Sequence, residues 1–243
     1  MPFLSIAGLL LFWAVLAILN GDPSVLPGPW VVAPLIAHEL IDGPLIAHLS
    51  ATLSRVALAF VVALAIGSVF GLWMGRNRGA DRWLDPWLIA FLNLPALVAI
   101  VLCYLWIGLT EVAAIAAVAI NKIPTVAVTI REGARALDPR LDHMSQVFGM
   151  SYWSRLRHVL MPQLAPYVAA AARSGIALIW KIVLVVEFLG RSNGVGFQIH
   201  LYFQLFDVAM ILVYSIAFIV VMLAIEMTLL RPFERRTTRW RRS

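Results

Sequence analysis

Cysteine occurs once, at Cys103, inside an apolar run. No disulfide framework can exist, and packing accounts for the thiol. Charge is scarce: 13% of the 243 residues are Asp, Glu, Lys or Arg, against about 25% in an ordinary soluble domain. Apolar residues make up 62% and mean hydropathy is +0.89. A soluble core of this size cannot hide so much apolar surface, and lipid is the solvent that suits it. The apolar residues come in long runs without period-two alternation, which excludes a membrane barrel and leaves helices. Lysine is nearly missing, with 2 Lys beside 17 Arg. The net charge of +6 implies no nucleic-acid partner, because the bases cluster at the ends of apolar runs and read as topology signals. Two motifs are also absent. Without G-x-x-x-x-G-K-[ST] the chain cannot hydrolyse ATP alone, and without H-E-x-x-H a membrane-embedded zinc protease is disfavoured; a G-x-S-x-G spacing does occur, at Gly190-Arg191-Ser192-Asn193-Gly194.

What is there is a succession of apolar runs. The first, residues 3–19, lacks a basic region before it and a small-residue cleavage site after it, so it reads as a retained membrane helix over 1–21 and not a signal peptide. Residues 22–50 form an extracytoplasmic segment, broken by Pro23, Pro27, Pro29, Pro34 and Pro44 and free of Lys and Arg. His38, His48 and Glu39 invite a metal reading. Gly43-Pro44 leaves their faces undefined, and short helices lying on the bilayer are the better expectation. Further runs follow at 51–75, 87–107 (with a kink at Pro95), 112–130, 167–189 and 208–230. Six crossings put the Arg-bearing 76–86 loop, the 131–166 segment and the basic tail 232–243 on one side, the cytoplasmic one. The expectation is an all-α membrane protein of about six transmembrane helices, with a transmembrane domain over 51–231.

Residues 131–166 are too polar to span and too patterned for a slack loop. Asp138-Pro139 starts a helix, with the Asp side chain as cap and Pro at the first helical position. Leu141, Met144, Val147 and Phe148 share a face. Gly149 ends the helix in the left-handed conformation, and Ser151 caps a second short piece that closes at Pro162. A membrane protein with such a helix–turn–helix on its cytoplasmic face is built to dock a cytosolic partner.

These residues carry a resemblance. Permeases of binding-protein-dependent ABC importers have a cytoplasmic signature: Glu-Ala-Ala, three residues, Gly, nine residues, Ile, one residue, Leu-Pro. Gly149 to Pro162 has that spacing, with Val159 in the Ile slot and Met161 in the Leu slot. His143-Met144-Ser145 occupies the Glu-Ala-Ala slot and departs from it. Leu26-Pro27-Gly28-Pro29, Leu94-Pro95, Leu105-Trp106-Ile107-Gly108, Pro124, Ala165-Pro166, Trp180 and Val185-Val186-Glu187 look like the taurine/sulfonate/nitrate permease group. The resemblance covers about residues 26–236. It implies a permease pair (homodimer or heterodimer), two ABC ATPase subunits that carry ATP and Mg, an extracytoplasmic solute-binding protein, and lipid around the chain. No cofactor would be bound by this chain. The helix from His143 to Gly149 would be the coupling helix, with Asp142 compensating for the missing Glu. The implied cargo is a small, anionic solute such as a sulfonate, nitrate, bicarbonate or organic acid.

Four ionisable residues lie in apolar surroundings: Lys122, Lys181, Glu187 and Glu226. A charge at membrane depth costs at least ~2.5 kcal/mol on insertion scales, so each needs a partner or water. Glu226 can snorkel toward the Arg tail. Lys181 and Glu187, six residues apart, are poor helix partners; Lys181 is weighed between a place on the translocation path and an interhelical pair. Ser174 belongs with the small residues of its helix, which permit close packing. A proton-coupled secondary transporter also needs buried Lys and Glu, but leaves the Gly-to-Pro module unexplained.

Overall fold

The computed structural model describes residues 2–230. It is built of helices, with no strand among the described residues. In chain order these are α1 (Pro2–Asn20), α2 (Pro29–Ile41), α3 (Leu45–Arg76), α4 (Arg78–Leu92), α5 (Ala96–Ile107), α6 (Glu111–Arg135), α7 (Pro139–Val147), α8 (Tyr152–Arg155), a π-helical turn (Leu156–Leu160), α9 (Met161–Gly190), α10 (Val195–Gln204), α11 (Val208–Ile225) and a second π-helical turn (Glu226–Leu230). The basic tail 232–243 lies outside the described residues.

Four helical stretches are long and apolar enough to cross a membrane: Leu45–Arg76, Glu111–Arg135, Tyr152–Gly190 and Val208–Thr228. The expected third crossing is not a kinked helix. It is a broken pair, α4 and α5, bent by 96°, and counting the pair as one span makes five. Pro95 has no N–H to continue the ladder and stands as the cap of α5. Leu4–Asn20 and Pro29–Ile41 are shorter apolar helices. The 76–86 loop is corrected as well. Asn77 is a one-residue joint whose side chain accepts from the Gly79 and Ala80 amides, so α4 starts at Arg78. The second run starts six residues earlier than expected, which moves Arg55 from a helix start to the interior of α3.

The chain forms two compact units. The first comprises the residues up to Ser54 together with Leu184–Ile225. In it α2 packs against α11, and Tyr214, Phe218 and Val32 are almost wholly buried. The Tyr214 hydroxyl donates to Glu39 at 2.9 Å, and the Trp13 indole donates to the Pro27 carbonyl at 3.1 Å.

The second unit is centred on residues Arg55–Val183. Its axis is α6, whose buried face is rich in alanine: Ala113, Ala114, Ala117, Ala119, Ala127 and Ala134. Small residues let backbones approach, which is how helices associate where lipid offers no hydrophobic drive. Gly67, Gly71 and Gly75, four apart on α3, complete the contact. A methyl group at Gly71 would stand 2.5 Å from the Ala127 carbonyl oxygen, and one at Gly67 2.7 Å from Val126 Cβ. Val126, Ile130 and Ala171 form the adjoining core, with Leu64, Tyr167 and Val168 against it.

Candidate functional site

The segment from Asp138 to Pro162 takes the local geometry its residues dictate, up to a point. Asp138 caps α7 through the Arg140 amide. Gly149 has φ +60, a region L side chains rarely enter. Ser151 caps α8 through the Ser154 amide. The second piece, however, does not close at Pro162. It passes through the π-helical turn into α9, a continuous run over Tyr152–Gly190. Proline falls at the second residue of α9, where the wider π turn has already displaced the ladder that Pro would break.

The apolar residues of this module face outward. Leu141, Met144, Val147, Phe148, Tyr152 and Trp153 are all exposed, Val147 to 85%. His143 and Met161 are exposed too, whereas Val159 is buried. Ser145 is the one buried residue of α7, and its hydroxyl donates to the Asp142 carbonyl at 2.7 Å. Asp142 is engaged on both carboxylate oxygens. Arg155 donates to Oδ1 through Nε at 2.8 Å and through a terminal nitrogen, and Arg76 donates to Oδ2 at 3.2 Å. Those hydrogen bonds, Arg155 first, hold the Asp142 carboxyl below the usual carboxylate range. Beside this cluster lies a cavity of about 530 Å³, walled by Arg76, Arg78, Asp81, Arg135, Asp138 and Gln163 among others.

The intramembrane charges separate into three environments. Lys122, on α6, is 3% exposed and has no hydrogen-bond or ion-pair partner among the described residues. It stands one turn before Val126, on the face that meets Leu64 and Ala171. Lys181 is exposed, with its ammonium 5.4 Å from the centre of the Trp180 ring. Glu187 is fully buried in the first unit. Its Oε2 accepts the Thr52 hydroxyl and the Gly196 amide, each at 2.9 Å. Thr52 in turn accepts the Val195 amide, and His48 Nδ1 accepts the Gly194 amide. Glu187 therefore clasps the turn into α10. Ser174 donates to the Ala171 carbonyl along its own helix, and Glu226 is exposed.

Residues 63–231 match the family described as binding-protein-dependent transport system inner membrane component. The chain belongs to that family. It is an all-α inner-membrane permease of the ABC importer class, similar along most of its length to other transport permeases. The putative aliphatic sulfonates transport permease protein SsuC of Bacillus subtilis is 26% identical over 90% of this chain and 79% of its own. The riboflavin transport system permease protein RibX of Chloroflexus aurantiacus is 32% identical over 97% of this chain and 88% of its own. Among solved structures, an amino acid ABC transporter crystallised with histidines shares the permease fold, with TM-score 0.63, 23% identity, and coverage of 79% of this chain and 93% of that one.

Two functional features escaped the sequence reading of this permease. The Arg76–Asp142–Arg155 cluster joins residues up to 79 positions apart, and no local signal announces it. The Gly67, Gly71, Gly75 stripe is legible from its spacing of four, a small-residue pattern like that noted around Ser174 on α9.

Proposed function

We propose that this permease docks an ABC ATPase on the outward face of α7 and the Gly149 turn, and that it conducts a small anionic solute past Lys122. The docking surface comprises His143, Met144, Val147 and Phe148, with Val159, Met161 and Pro162 framing the exit into α9. The observation that carries it is the inverted exposure of α7: its apolar side chains lie outside and Ser145 inside. Exposed apolar patches rimmed by polar groups mark interaction surfaces. A solute-binding protein on the opposite membrane face and a second permease chain complete the assembly, and ATP with its Mg belongs to the ATPase subunits.

Gly149→Val tests the docking. No atom lies within 4 Å of a Cβ added there, so the penalty is one of backbone conformation, about 1–2 kcal/mol or more for a β-branched residue at positive φ. The variant is expected in the membrane at normal levels, with ATPase co-purification or ATP hydrolysis stimulated by the binding protein reduced at least tenfold. Unaltered stimulation and co-purification would place docking elsewhere.

The anion assignment rests on Lys122. A buried ammonium without a carboxylate is costly at membrane depth, and an anionic solute supplies the missing charge. Lys181 has lipid, solvent or partner surface within reach and the Trp180 ring beneath it, so it makes the weaker claim. Pro95, at the break between α4 and α5, and Ser174 are path residues by position only.

A further inference from the structure

α7 packs on the π-helical turn, where Ser145 is fully buried, and is tied to the rest of its chain by polar links. On the side away from its exposed face, Asp142 reaches Arg76, the last residue of α3, and Arg155, the last residue of α8. The Asp138 amide adds a hydrogen bond to Gln163 Oε1 of α9 at 3.0 Å. Much of what lies beneath is the 530 Å³ cavity. Displacement of α7 therefore reaches α3 and α9 through these tethers as well as through its contact with the π-helical turn.

We infer that Asp142 is the joint through which α7 moves α3 and α9, a positioning residue for transport and not an ATPase contact. This rests on the reading that α7 docks an ATPase. Three features converge on it. Both carboxylate oxygens are occupied within the chain, Oδ1 by two guanidinium nitrogens of Arg155 and Oδ2 by Arg76, and such charge-assisted hydrogen bonds are the strong kind. Arg76 directly follows Gly75, the last of the three glycines that lock α3 against α6, so a pull on Arg76 acts on a packed pair of helices. Arg155 directly precedes the π-helical turn Leu156–Leu160, and π insertions mark sites of local adjustment within helices. The competing role, a substitute for the Glu missing from the family signature, requires Asp142 to face outward toward the ATPase.

The test uses the full complex in lipid nanodiscs, with its ATPase subunits and with its solute-binding protein as purified. Asp142→Asn should retain the ATPase on affinity purification while hydrolysis stimulated by the binding protein falls at least tenfold. Asp142→Glu should restore most of the stimulation. Asp142→Arg combined with Arg155→Asp should recover stimulation that Asp142→Arg alone lacks, an outcome a generic structural defect does not produce. Loss of the ATPase from Asp142→Asn would make Asp142 a docking contact and overturn the inference, as would unchanged stimulation. Arg76→Gln severs the α3 arm alone and decides the matter should Asp142→Asn fail to reach the membrane: retained ATPase with at least fivefold weaker stimulation supports the joint, and full stimulation refutes it. If the unaltered chain retains no ATPase, the docking proposal itself fails, a result distinct from every variant outcome.

Discussion

Lys122 and Glu187 answer the same physical problem differently. Glu187 was expected to need a partner, and it has a hydroxyl and a backbone amide from its own unit. A hydroxyl and an amide donate to its buried oxygen, so the acid is provided for locally. Lys122 has no such provision among the described residues. Lys122→Met keeps the stem and deletes the charge. Thermal stability of the detergent-solubilised complex should rise, because an uncompensated buried charge is removed. Uptake of an alkanesulfonate or another carried anion should fall tenfold or more, with Lys181→Met changing it less than twofold. Such an exchange of activity for stability is characteristic of a functional charge. A drop in stability together with uptake would instead identify Lys122 as a structural partner. Unchanged uptake of the carried solute in Lys122→Met would refute the anion assignment.

Between α3 and α6 the decisive quantity is the volume of a methyl group. Gly71→Val places side-chain atoms where Ala127 backbone and Ile130 Cβ already stand. Overpacking in a close-packed interior costs about 1–3 kcal/mol, and more where the obstacle is backbone. The folded fraction recovered from membranes should drop severalfold by fluorescence-detected size exclusion. Gly8→Val, on α1 with nothing within 4 Å, serves as the control and should behave as the unaltered chain; equal behaviour of the two would deny the close contact. Helices were legible in the sequence where a single property decided them: apolar length for α3, α6 and α11, and caps for α7 and α8. Asp138, Gly149 and Ser151 each act within three residues, which is why their turn was foreseeable. Where tertiary packing decided, sequence fell short. The α4–α5 break looked like a simple kink because Pro95 dictates a lost hydrogen bond but not a bend of 96°. The exit at Pro162 looked like a stop because a π turn has no sequence signature. The two arginine partners of Asp142 were not foreseeable because they are distant from it in the chain.

At the scale of the whole permease, orientation follows from charge. Arg131 is 13% exposed and pairs with Asp81 and Asp85, and Arg135 pairs with Asp81 and Glu132. Part of the basic cluster at the end of α6 is thus neutralised by α4, and the net excess that faces anionic lipid is smaller than the count of arginines suggests. The direction is unaffected, since acidic residues weigh little in topology. The positive-inside expectation of six crossings puts both termini in the cytoplasm, and on it a cysteine replacing Leu40 should react with an impermeant maleimide in intact cells. One replacing Thr238, in the tail beyond the described residues, should react only after the membrane is opened. Reaction at 238 in intact cells would reverse the topology.

Those experiments are clean because the native thiol is silent. Cys103 is 5% exposed, on α5 where that helix packs along α6. Silence of this kind is conditional on time. A buried thiol reacts only in the moments when its cover opens, so its labelling rate measures the free energy of a local opening. The chain thus carries an internal clock for the breathing of α5 against α6, beside the break at residues 93–95. A comparison of that rate with and without ATP in the assembled transporter would time the loosening of the second unit without introducing a single foreign residue.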